Sequence, residues 1–180
     1  MSILGKKASE YFRFVRTGMV LILLMGVIRF VVGISGVPYE RATHFVSMTI
    51  LTMVLFLVYG CKAAAKGFGA YRHLLPLSYA LAVAMYGFIV LAILVEGFTG
   101  LPGYFHVHSL HALAANPNTP TFLSQSIPTF MNVPTHIAGQ ILAMFVFGFA
   151  GWGLASISFF LTRKVRVAGG QAFKTDHTSA

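Results

Sequence analysis

Four long apolar runs, separated by polar or turn-forming stretches, set the character of this chain. They cover residues 14–35, 44–61, 74–95 and 134–161. A helix that crosses a hydrocarbon core of ~30 Å needs roughly 20 mainly apolar residues, at 1.5 Å of rise each. All four runs meet that requirement. The second is the shortest, and Lys62 just beyond it can snorkel outward. Lys6, Lys7, Arg13 and Arg16 followed by an apolar stretch from Thr17 resemble a signal peptide. No small-x-small cleavage site follows promptly, and Arg29 interrupts the apolar run. It is therefore expected to be an uncleaved first span. The pattern predicts an all-α fold: an integral membrane four-helix bundle over residues 1–167, with a disordered tail over 168–180.

The small residues within these runs have their own spacing. Gly139, Ala143, Gly151 and Ala155 recur at multiples of four, and the first run carries Gly18, Gly26 and Gly33. In lipid such residues let helix backbones approach closely. They are expected to be packing faces.

The connections differ in kind. Residues 36–43 form a short one. Residues 97–133 form a long one without Lys or Arg, and it holds turn formers at Leu101-Pro102-Gly103 and at 116–120. It also holds Tyr104, Phe105, Phe122, Phe130 and Met131. Long loops are usually functional or disordered, and aromatic residues argue against disorder. An ordered cap on the bundle is expected, with a short interfacial helix over 104–115. A faint repeat links Val37-Pro38 with Thr43-His44 and Val133-Pro134 with Thr135-His136. Each threonine is placed to cap the helix that its histidine opens.

Composition agrees with the pattern. Of 180 residues, 57% are hydrophobic and 9% charged, where soluble domains are nearer ~25% charged. The mean hydropathy is +0.78. The net charge of +9 would suggest nucleic acid in a soluble domain. Here, however, eleven of the thirteen Lys and Arg flank the apolar runs on one side, leaving Arg41 and Arg29 toward the other. This positive-inside pattern predicts cytoplasmic termini in a cytoplasmic or inner membrane, and excludes nucleic acid as the reason for the charge. The lone cysteine, Cys61, rules out an intrachain disulfide.

That topology gathers five of the seven histidines on the extracytoplasmic face: His44, His106, His108, His111 and His136. Neutral imidazole is a common metal ligand and also holds haem iron. His44 and His136 are expected at equal depth on neighbouring helices, placed to share a metal ion (Zn, Cu or Fe) or one b-type haem. The loop trio His106, His108 and His111 fits no zinc signature, because the glutamate of H-E-x-x-H is missing. It can add ligands from above. On a helix His108 and His111 share a face and His106 points away, whereas on an extended segment His106 and His108 share a face.

Charges inside spans are costly and are usually paired or functional. Arg29 and Glu96 are expected to pair if the first and third spans are adjacent, with Glu40 and Arg41 joining them. Arg29 is also placed to hold a haem propionate. Gln140 lies one turn from His136 and Ser47 three residues from His44, as supporting donors. His73 belongs to the other face, so at most one bis-histidine haem is supported.

Several chemistries fall away. The chain has only Glu10, Glu40, Glu96 and Asp176, so paired-carboxylate catalysis is absent. There is no phosphate-binding glycine loop and no nucleophile elbow. Cys61 and the histidine cluster lie on opposite faces, which excludes a Cys/His dyad. The leading expectation is a small multi-pass membrane subunit with an extracytoplasmic histidine cluster for a metal or haem, in a redox or respiratory-type assembly. The alternative is a cofactor-free structural subunit that packs against partner helices or self-associates. An oligomeric transporter is third.

Overall fold

The computed structural model describes residues 2–39, 41, 47–106, 110–111, 114, 118, 120–121, 125, 129 and 131–175. For residues 2–3 and 166–175 it describes the course of the backbone alone. A small hairpin comes first, β1 (Ser2–Ile3) paired antiparallel with β2 (Lys6–Lys7). Leu4 and Gly5 both have positive φ, 54° and 86°, as a two-residue turn of the I′ kind requires.

Four long helices follow: α1 (Ala8–Ile34), α2 (Met48–Lys66), α3 (Leu74–Thr99) and α4 (Val133–Thr175). A single 3₁₀ turn, Tyr71–His73, leads into α3. All four are long and apolar enough to cross a membrane, with peak mean hydropathies of 2.3, 1.8, 2.3 and 1.8.

Their ends follow local chemistry. The Glu10 carboxylate accepts the Lys7 N–H at 2.9 Å, satisfying a donor ahead of the first turn of α1. α2 starts at Met48, four residues later than hydropathy suggests. Ser47 Oγ accepts the Ile50 N–H at 3.3 Å and caps it. Three alanines, residues 63–65, carry α2 past residue 61, and Gly67 at φ 61° ends it. α4 starts at Val133, so Thr135 lies within its first turn and does not cap it. The reason is Pro134, whose fixed φ suits a first helical turn. Thr43, the other expected cap, lies outside the described residues.

α3 is the centre of the bundle, packed against α1 on one side and α4 on the other. α2 packs mainly on α4, and α1 and α2 touch more lightly. The core includes Ile22, Phe56, Leu77, Leu81, Ile93 and Phe159. Glycines of α1 receive bulky neighbours: Gly18 faces Tyr59, and Gly26 faces Phe88. The Tyr59 hydroxyl accepts the Gly18 N–H at 2.8 Å, tying α2 to α1. Outward faces are apolar. Val27 and Ile28 on α1 and Leu142, Val146 and Phe149 on α4 are all at least half exposed. Water tolerates such surfaces poorly and lipid does not oppose them. A membrane setting follows.

The helix ends define two poles. One gathers Lys6, Lys62, Lys66 and Arg72. There buried His73 meets the Tyr11 hydroxyl at 2.6 Å. The other pole carries the end of α3, the start of α4 and the described histidines His106, His111 and His136.

Candidate functional site

The site is built from the last turn of α3. Glu96 is 4% exposed there. Its carboxylate accepts the backbone N–H of Phe105 at 3.1 and 3.0 Å and that of His106 at 2.8 Å. These bonds fold the chain back over the helix end. Gly100, left-handed at φ 70°, turns it out of α3, and Leu101-Pro102-Gly103 returns it. Gly103 rests against the Glu96 carboxylate so closely that any Cβ would overlap it. A buried carboxylate without donors would be expensive. Here two amides supply them.

The returning segment is then keyed in place by aromatic packing. Tyr104 seats on Gly33 of α1, and its hydroxyl donates to the Val37 carbonyl. Phe105 lies between Phe30 and Phe88, ring centres 6.5 and 5.8 Å away. His106 is thereby carried to α4. Its Nδ1 stands 2.9 Å from Nδ1 of His136, in the first turn of α4, and both side chains are buried. One turn on, Gln140 Nε2 lies 3.1 Å from His136 Nε2.

This chain of contacts dictates proton positions. With Gln140 donating to His136 Nε2, His136 carries its proton on Nδ1 and gives it to His106 Nδ1. His106 then keeps its own proton on the other ring nitrogen, where the Met131 carbonyl accepts it. Burial holds His106 below the usual histidine range, so it is neutral near pH 7.

No family model, curated protein or solved structure compared with this chain matches it. The site is therefore read from its own geometry.

Other expected residues are distributed as follows. His44, His108 and Glu40 lie outside the described residues. His111 is exposed while His106 is buried. Arg41 is exposed, its N–H bonded to the Pro38 carbonyl at 3.1 Å. α1 and α3 are adjacent, yet Glu96 is met by amides. Arg29 lies with its Cζ 5.5, 5.9 and 5.8 Å from the rings of Tyr39, Tyr104 and Phe105. Its Nη2 donates to the Tyr39 hydroxyl at 3.4 Å. A half-buried guanidinium over aromatic faces is favourably held. Ser47 serves as the cap of α2.

A cavity of about 280 Å³ is lined, among others, by Arg29, Tyr39, Ser47, Thr49, Tyr104 and Gln140. Gln140 thus faces the cavity and touches His136. Among the described residues, no group of three or more His, Cys, Asp or Glu is placed to hold a metal. The described donors form a pair.

The sequence singled out Glu96, His106, His136 and Gln140 but not their connectivity. The carboxylate's partners are backbone amides, which carry no residue-type signature. The hint was a buried-span glutamate followed at once by turn formers.

Proposed function

We propose that this chain is a multi-pass membrane subunit that holds a transition-metal ion between His106 and His136, within a redox or respiratory-type assembly. The site faces the extracytoplasmic side, given the Lys and Arg distribution. What carries the reading is the 2.9 Å approach of two buried imidazole Nδ1 atoms. Two such nitrogens on one tetrahedral zinc, with bonds of ~2.0–2.1 Å, stand roughly 3.3 Å apart. Widening the gap by a few tenths of an ångström, with both rings turned so that their Nδ1 lone pairs converge, would make the pair a two-nitrogen clamp. With Nδ1 of His136 on the metal, its proton moves to Nε2, and Gln140 turns its carbonyl to accept it. A haem macrocycle has to pass between its axial imidazoles. A gap of 2.9 Å leaves no room, so for this pair the ion is preferred to b-type haem.

A second reading has its own support. Gln140, His136 and His106 are linked in series by hydrogen bonds, and Glu96 has two amides. Such a hydrogen-bonded network also serves a cofactor-free structural subunit.

Elemental analysis of the protein purified in mild detergent separates the two. One zinc or copper per chain is expected, lost in both His106→Ala and His136→Ala while helical circular dichroism persists. Metal-free wild-type protein, after growth with added zinc and copper, sinks the metal reading and leaves the structural one.

A further inference from the structure

The opposite pole carries a second cavity, of about 330 Å³, between α1 and the end of α2. Its walls are Glu10, Arg13, Phe14, Lys62, Lys66 and Phe68. Three cations thus meet one carboxylate. That carboxylate is already engaged by the Lys7 N–H at 2.9 Å and by Lys6 Nζ at 3.8 Å. Lys62 is pinned at the wall: its Nζ donates to the Phe14 carbonyl at 3.3 Å and lies 4.9 Å from the ring centres of Phe14 and Tyr59. An ammonium has three donors, so two remain for a ligand. Arg13 and Lys66 are exposed. The cavity therefore offers a guanidinium and two ammonium groups to an anion.

What lies farther along the helices indicates its kind. At four-residue steps from Lys62 stand Val58 and Val54, 48% and 49% exposed. At four-residue steps from Arg13 stand Thr17 and then Leu21, which is 43% exposed. Such steps keep to one helix face. Both stripes thus run from a cationic end into exposed apolar surface, on two helices that touch only lightly. A free phosphate would use the cations and ignore the stripes. A phospholipid uses both, and this pole sits where its headgroup lies. We infer that the seam between α1 and α2 is a binding site for one anionic phospholipid, its phosphate held by Arg13, Lys62 and Lys66 and its acyl chains along the stripes. The site is independent of the histidine pair at the other pole.

The test uses full-length protein, stripped of lipid in a neutral detergent, with short-chain phosphatidylglycerol, phosphatidylcholine or inorganic phosphate added. Native mass spectrometry reads stoichiometry and thermal unfolding reads affinity. Phosphatidylglycerol is expected to bind one to one and to raise the midpoint. Phosphatidylcholine and inorganic phosphate at equal concentration should not. Each Lys or Arg at an anionic lipid surface is worth about fivefold, so Arg13→Gln with Lys66→Gln should weaken phosphatidylglycerol about thirtyfold. Both side chains are exposed, so the variant retains its packing. Arg163→Gln with Lys164→Gln removes equal charge from the same pole and should leave binding within about twofold. Equal loss in both double variants overturns the site, because the attraction would then be diffuse. Equal stabilisation by phosphatidylcholine or by inorganic phosphate overturns the lipid assignment.

Discussion

Glu96 and Gly103 decide how the histidine pole is built. A carboxylate at the end of a span folds a loop onto itself only if that loop brings amides and lacks bulk where it passes. Gly103 supplies the second condition. Gly103→Ala forces a methyl group into the Glu96 carboxylate and should cost ~1–3 kcal/mol by overpacking, read as a lower unfolding midpoint in detergent. His106 adds a pH dependence. Its folded pKa is depressed by burial, while in the unfolded chain it titrates near ~6.5. Below that pH the unfolded state takes up the proton more readily, so stability falls as pH falls. In chelator-treated protein the midpoint should drop between about pH 7.5 and about pH 5.5. His106→Gln should remove part of that slope, and an unchanged slope would count against the burial argument. Residue identity exposed these candidates because a glutamate at the end of an apolar run is rare and because histidines cluster on one face. It did not expose the Glu96–amide bonds, since any residue supplies an amide.

At the scale of elements, hydropathy located all four helices and came within one residue of the end of α1 and the starts of α3 and α4, but missed the other ends. The ends answer to caps and turns: Ser47 at α2, Gly67 after it and Pro134 within α4. Small-residue spacing marked packing faces but not which glycines are in contact. Gly60 has its closest neighbours at the Ser158 hydroxyl and the Ala155 carbonyl, whereas a methyl group added at Gly153 would meet nothing within 4 Å. Gly60→Ala should therefore destabilise the α2–α4 contact by ~1–3 kcal/mol. Gly153→Ala should stabilise by up to ~1 kcal/mol through helix propensity. Paired thermal unfolding of the two variants checks the contrast, and equal effects would contradict the packing.

For the whole molecule, charge distribution carries the expectation of orientation. Reporter fusions between Lys62 and Arg72 should read as cytoplasmic, and fusions near residue 120 as extracytoplasmic. The reverse result would move the histidine pair to the cytoplasmic side and remove the basis for an extracytoplasmic metal site. Sequence by itself determined the all-helical class, the four spans, their suitability for lipid and the short inventory of polar side chains. These follow from local quantities, namely hydropathy summed along a run and the few charges within it. Only the tertiary structure decided that α3 is central, that His106 reaches His136, that Arg29 takes aromatic rings in place of Glu96, and that cations of α1 and α2 share a cavity. Those pairings join elements far apart along the chain. The choice among them is made by which helix faces pack and where a returning loop finds its hydrogen bonds, and neither is encoded in spacing along the chain.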